Sequence, residues 1–170
     1  IENLLAALTL GYQFGLPIKE MIKAAKTFKG LPHRLEFITS INHVDFYNDS
    51  KSTNAVSTKT AVNSLLEKYS QLVLIFGGIA KQENYSELIE LINEKVETVV
   101  LIGDSSKVFS EQLSVPTLKI ARSMEEAVGL SKSLTKNGAV VLSPACASFD
   151  MFDDFNDRGD QFKHHVNEGS

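Results

Sequence analysis

Asp49 and Lys51 stand two residues apart in Asn48-Asp49-Ser50-Lys51-Ser52-Thr53-Asn54, a polar run set between two apolar patterns. A carboxylate and an ammonium so placed can meet a hydroxyl or cation on one side and an anion on the other. Upstream, Val44 and Phe46 alternate with Asp45 and Tyr47, the period of a strand. Downstream, Ala55, Val56, Ala61, Val62, Leu65 and Leu66 recur at spacings of three and four, the period of a helix. Ser52, Thr53 and Asn54 are all competent helix N-caps, so the run predicts a strand-to-helix junction. Free backbone N–H groups and the positive end of a helix dipole make such a junction a seat for an anion. Taken alone, the loop reads more simply as a well-capped helix start with its charges in water.

Three further loops carry unusual residues. Gly77-Gly78-Ile79-Ala80-Lys81 lets the backbone leave a strand through conformations closed to other residues, with Lys81 in reach of an anion. Gly103-Asp104-Ser105-Ser106 reads as a helix cap. Ser143-Pro144-Ala145-Cys146-Ala147-Ser148 predicts a compact turn with free N–H and hydroxyl donors at the start of the next helix. Cys146 has no His near it in sequence and reads as a small packing thiol. His43, His164 and His165 show no metal-ligand spacing to a Cys or Asp and read as surface residues. Neither a G-x-G-x-x-G nor a G-x-x-x-x-G-K-[ST] motif occurs, which excludes a dinucleotide fingerprint and a phosphate-cradling P-loop.

The elements that must position these loops alternate. The runs 72–76, 98–102 and 139–142 and a short stretch near 117–120 predict strands, and the stretches near 54–68, 85–93, 106–113, 124–134 and 150–166 predict helices. Residues 35–40 and 43–48 predict two adjacent strands turning at Ile41-Asn42. Strands apolar at every position are buried on both faces, so the fold class is α/β, a Rossmann-like, doubly wound and mostly parallel sheet. Ligands in such a sheet bind beyond the carboxyl ends of the strands, where all four loops fall. Residues 3–14 and 18–28 predict two amphipathic helices with no sheet of their own, and Gly30-Leu31-Pro32-His33-Arg34 predicts an inter-domain joint.

The 170 residues carry 43% apolar and 22% charged side chains with a net charge of −4 and no basic cluster, which argues against a nucleic-acid partner. A single Cys excludes an internal disulfide and fits a reducing cytosol. The longest apolar runs fall far short of a membrane span. The start at Ile1, already in a helical pattern, leads us to expect a piece of a longer protein, with Gly169-Ser170 an appended scar.

Four stretches then match one family in order: Gly30-Leu31-Pro32-His33-Arg34, Asn48-Asp49-Ser50-Lys51-Ser52-Thr53-Asn54, Ser143-Pro144-Ala145-Cys146-Ala147-Ser148 and Arg158-Gly159-x-x-Phe162. Together they resemble the C-terminal portion of the Mur ligase that adds D-glutamate to UDP-N-acetylmuramoyl-L-alanine in peptidoglycan synthesis. The resemblance implies a three-domain cytoplasmic enzyme of bacteria. Residues 1–34, with Asn3-x-x-Ala6-Ala7, would be the last helices of a central ATP-binding domain and a linker, and residues 35–170 the C-terminal domain. ATP, with Mg2+ held outside this segment, would phosphorylate the substrate carboxylate to an acyl phosphate that the amine of D-glutamate attacks. Carried over by position, Arg34 would contact ATP phosphate and Asp49 the ribose, with His33 nearby. Lys51, Thr53, Lys81, Ser148 and Phe155 would hold D-glutamate; no residue here would bind metal. The family often has an acidic residue after the two glycines, where this chain has Ile79. This segment alone, lacking the P-loop, is expected to be inactive.

Two other readings compete. A stand-alone α/β ligand-binding module would be favoured by a Met start and polar faces on the first two helices, and the chain has neither. A folate polyglutamylating ligase of the same superfamily is opposed by the Asn48–Asn54 segment.

Overall fold

A computed structural model describes residues 2–168, in two compact units, 1–31 and 32–170. The division falls inside the expected joint. The first unit pairs α1 (Glu2–Gln13) with α2 (Ile18–Thr27). Ten of the twelve α1 residues and all of α2 carry ordinary helix formers or Thr, and Gly15 at φ 78° ends the first helix as only glycine does without strain. No residue of α2 is buried, and Leu4, Leu5, Leu10, Phe14, Ile22 and Phe28 are exposed. Two short helices cannot enclose a core.

The second unit runs β1 (Glu36–Ile41), β2 (Val44–Asn48), α3 (Ala55–Leu66), β3 (Leu72–Gly77), α4 (Ser86–Lys95), β4 (Thr98–Ile102), α5 (Ser106–Gln112), β5 (Thr117–Ile120), α6 (Met124–Leu134), β6 (Gly138–Leu142) and α7 (Phe155–Asn167). The strand order is β1-β2-β6-β3-β4-β5, parallel except for β1, which pairs antiparallel with β2. Every residue of β3, β4 and β6 is buried, as their unbroken apolar sequences require. Alternate side chains divide between two cores. Leu72, Leu74, Phe76, Val99, Leu101 and Val141 meet α3, α4 and α5, while Val73, Ile75, Val100, Ile102, Val140 and Leu142 meet α6 and α7.

Two expectations need correction. The β1–β2 turn lies at Asn42-His43, one residue later than expected, because a tight hairpin needs two residues at positive φ and these have 50° and 68°. The last helix begins at Phe155, not near 150. Asp154 accepts hydrogen bonds from the backbone N–H groups of Asn156 (2.7 Å) and Asp157 (2.8 Å) and so fixes the start. Residues 143–154 are therefore turns and a bridge between Ile79 and Ala147, and the Ser143–Ser148 donors do not stand at a helix start.

The order places β6, the last strand, between β2 and β3. Chain direction reverses there: β3, β4 and β5 step one way and β6 returns across them. The loops after β2, β6 and β3 consequently meet at one place, the switch point of the sheet.

Candidate functional site

The junction between β2 and α3 forms as its residue types dictate. Asn54 caps α3 by accepting from Ser57 N at 2.9 Å, one of the three caps anticipated. Asp49 is buried beside it. Its Oδ1 accepts from Leu35 N (3.0 Å) and its Oδ2 from Ser143 Oγ (2.7 Å), with Thr58 Oγ1 3.1 Å from the same serine oxygen. Burial nonetheless raises its pKa above the usual 3.8, outweighing the lowering by Ser52, Ser143, Leu35 and Arg34. A carboxylate kept where its charge is costly is a feature of sites more than of scaffolds.

Arg34 is exposed between two non-glycine residues at positive φ, His33 at 61° and Leu35 at 44°. Each such residue is strained, so other contacts must hold it. Here His33 N donates to Glu36 Oε2 (2.9 Å), His33 O accepts from Lys51 N (3.0 Å), and Leu35 N is tied to Asp49. The strain presents the guanidinium beside Asp49. Arg34, Asp49, Lys51, Thr53, Asn54 and Thr60 line one cleft of about 520 Å³.

The ammonium of Lys51 sits 3.7 Å from the centre of the Phe155 ring, a cation–π contact that joins the β2 loop to the first residue of α7. Lys81 reaches across from the β3 loop to donate to Thr53 O at 2.6 Å, with Thr53 Oγ1 at 3.3 Å. Gly77 and Gly78, at φ 121° and 133°, make that approach possible, for a Cβ on Gly77 would collide with Ile102 O and one on Gly78 with Ala147 O. Ile79 and Ala147 bridge the β3 and β6 loops, which sets Ser148 opposite the Lys81 loop. Ser148 is buried, and its carbonyl accepts from Phe152 N (2.9 Å) and Met151 N (3.2 Å).

Four of the anticipated residues thus share the cleft wall: Arg34, Asp49, Lys51 and Thr53. Lys81 and Phe155 attach to that wall through Thr53 and Lys51. His33 is buried, its Nδ1 2.9 Å from Asn48 Nδ2 and its ring edge-on to Phe155 at 6.1 Å, and it does not line the cleft. Gly159 of α7 has no room for a Cβ because that ring lies against it. Cys146 is buried, burial pushes its thiol up to about 11, and it packs in the core as its type suggested. Ser105 stands at the α5 N-cap without a side-chain cap bond; Ser106 Oγ donates to Gly103 O instead (2.6 Å).

Sequence reasoning missed the role of Arg158. This guanidinium is fully buried, and among the described residues no carboxylate partners it. It donates to Ser50 Oγ (2.9 Å), Ser50 O (2.9 Å) and Cys146 O (3.1 Å), so one side chain ties the β2 loop, the β6 loop and α7 together. Burial lowers its pKa to about 10. Ser50 Oγ passes the tie on to Phe155 O at 2.7 Å. The position was visible in the Arg158-Gly159-x-x-Phe162 match, but nothing in the pattern said that the arginine points inward.

A family model described as "Mur ligase, glutamate ligase domain" matches residues 33–146. A relative from Marinobacter nauticus, named UDP-N-acetylmuramoylalanine–D-glutamate ligase, is 43% identical over 96% of this chain and 37% of its own length. A second, of the same name from Cytophaga hutchinsonii, is 46% identical over 96% of this chain and 36% of its own. The chain therefore spans little more than a third of the relatives it matches. Among solved structures, MurF from Acinetobacter baumannii superposes over 99% of this chain and 38% of its own, with a TM-score of 0.75 at 17% identity, a likeness of fold alone. The chain belongs to the Mur ligase family, through its glutamate ligase domain.

Proposed function

We propose that this chain is the C-terminal part of an ATP-dependent ligase that joins D-glutamate to UDP-N-acetylmuramoyl-L-alanine through an acyl phosphate in the bacterial cytoplasm. Residues 1–34 would then close a central ATP-binding domain, and the N-terminal and remaining central domains would complete the enzyme. The observation that carries this reading is the placing of two ammonium groups from separate loops beside the β2–α3 junction, Lys51 against the Phe155 ring and Lys81 on Thr53. A dicarboxylate requires that kind of convergence of cations and hydroxyls. In this role Lys51 and Lys81 bind the carboxylates of D-glutamate, Thr53 and Ser148 supply hydroxyls, and Phe155 holds Lys51 in place. Their work is to position the amine against an acyl phosphate, which contributes up to about 7–11 kcal/mol in ideal geometry.

The nucleotide fits the other half of the cleft. Asp49 retains lone pairs for ribose hydroxyls beyond the two bonds it accepts, and the exposed Arg34 beside it suits a phosphate. His33 supports Arg34 from beneath and does not touch the nucleotide in this reading. Asp49 is the one carboxylate on the cleft wall among the described residues, so the magnesium that accompanies ATP would be held chiefly by ligands outside this chain. Phosphoryl transfer from ATP to the substrate carboxylate is assigned to the domains outside this chain, because this chain carries no P-loop motif. Among the described residues, no helix is long and apolar enough to cross a membrane.

Kinetics of the full-length enzyme test the reading. Lys51→Ala should raise the KM for D-glutamate and lower turnover, on the order of 10–100-fold in kcat/KM, since a charge-assisted contact contributes about 1.5–3 kcal/mol. The KM for ATP should hardly change. Asp49→Ala should weaken ATP first. Unaltered D-glutamate kinetics in Lys51→Ala would return this loop to a capped helix start with solvated charges.

A further inference from the structure

The last turn of α7 gathers three groups that ligate transition metals. His164 and Glu168 stand one turn apart, with His164 Nε2 3.0 Å from Glu168 Oε1. His165 Nδ1 lies 3.3 Å from the other oxygen of the same carboxylate. All three ligand atoms fall within 4.8 Å of one another, the one such trio among the described residues. Tetrahedral zinc with bonds of about 2.0–2.1 Å places neighbouring ligand atoms about 3.3 Å apart. Each imidazole nitrogen lies at about that distance from the carboxylate, but from a different oxygen. Turning the imidazoles about their side-chain bonds brings both nitrogens to one oxygen and closes the face. His164 is exposed, His165 is half-buried, and their rings are 5.1 Å apart, so neither turn disturbs the core.

The backbone that carries these groups is fixed. Phe162 and Val166 are buried on the inner face of α7. Lys132 of α6 donates to His165 O (3.1 Å) and Val166 O (2.9 Å), which caps the helix end. Glu168 N donates to His164 O at 2.9 Å, so two of the ligands are also tied through the main chain. Exposed ion pairs by themselves contribute little to stability. Two imidazoles and one carboxylate on a rigid turn are, by contrast, a nitrogen-rich set that suits zinc, copper or nickel and disfavours magnesium or calcium.

We propose that His164, His165 and Glu168 form a surface site for a divalent transition metal, zinc by its ligand chemistry, with water in the remaining positions. The site is open, so it binds more weakly than a closed four-ligand structural site. It lies at the opposite end of α7 from Phe155, and its occupancy would clamp the last turn of that helix.

Isothermal titration of the 170-residue chain with zinc chloride tests the proposal, with magnesium chloride in parallel. One saturable equivalent of zinc and none of magnesium is expected. His164→Gln and Glu168→Gln should each lower zinc affinity at least tenfold, while His43→Gln, an exposed imidazole elsewhere, should leave it unchanged. Zinc should raise the melting temperature of the parent chain and of His43→Gln more than that of His164→Gln. Absence of saturable zinc uptake, equal uptake of magnesium, or affinity that survives both His164→Gln and Glu168→Gln would overturn it. The substituted side chains lie at the surface, and matching circular dichroism spectra would confirm that each variant is folded.

Discussion

Asp45 and Asp49 bracket the same strand, and their surroundings act in opposite directions. At the amino end of β2, Asp45 accepts a hydrogen bond from Tyr69, with Lys68 at 3.8 Å. The bond from Tyr69, aided by Ser40 and Lys68, holds its pKa below the usual 3.8. Tyr69 also meets Tyr47 (2.8 Å), and Lys68 donates to Tyr47 (2.9 Å), so the cluster fastens the end of α3 to β2. At the carboxyl end, burial raises Asp49 although it accepts two hydrogen bonds. One aspartate stabilises the fold by being charged; the other keeps its charge against a cost. The difference separates an anchoring end of the sheet from a working end.

Removing what holds the working end together gives the largest expected effect. Arg158→Ala leaves Ser50 O and Cys146 O without their donor and opens a cavity, and should cost about 3 kcal/mol or more in urea unfolding. A loss below about 1 kcal/mol would mean that the loops hold their places without it. Asparagine at each aspartate should then show opposite signs. At neutral pH, Asp45→Asn should destabilise by about 1 kcal/mol, whereas Asp49→Asn should be neutral or stabilising by a similar amount. Losses of equal size in both variants would erase the contrast.

Acid sharpens the same comparison. Asp45, lowered in the fold, contributes stability that is present above pH 3.8 and is lost as pH falls through its folded pKa. Asp49, raised in the fold, carries its penalty in full above its folded pKa. That penalty is relieved as pH falls from there toward 3.8. In thermal melts, the parent chain should therefore gain on Asp49→Asn as pH drops from neutral toward about 4, and lose its advantage over Asp45→Asn only below that. Tyr69→Phe, which removes the hydroxyl that both Asp45 and Tyr47 meet, should cost about 0.5–1.5 kcal/mol, the same order as Asp45→Asn and well below Arg158→Ala.

The parts of this fold written in local pattern were legible. Residues 72–76 and 99–102 are apolar at every position and could only be buried strands, and Asn54 was among the caps anticipated for α3. The Asn42-His43 turn was misplaced by one residue because the chain contains no glycine there to mark the positive φ values. The start of α7 was misplaced because Asp150 to Asp154 contains no helix breaker; the signal was Asp154 with Asp157 three residues on. Lys51, Thr53 and Lys81 were singled out by type, but that Lys81 reaches Thr53 is a fact of strand order. The inward aim of Arg158 and the burial of His33 depend on contacts more than a hundred residues away in sequence, between Arg158 and Ser50 and between Gly159 and Asn48, which no local window contains.

The late position of β6 in the chain has a consequence for synthesis on the ribosome. Tyr47 pairs with Val141, and Leu74 pairs with that same residue from the other side, so β2 and β3 never touch directly. A nascent chain that has emerged only as far as α6 owns both loops that bear Lys51 and Lys81, yet has no strand to seat between them. Both facing edges stay open until β6 leaves the exit tunnel, a window in which unpaired strands invite other chains. The cleft is thus assembled only after β6 emerges, and ribosome-arrested chains stopped before Gly138 should remain protease-sensitive at both loops.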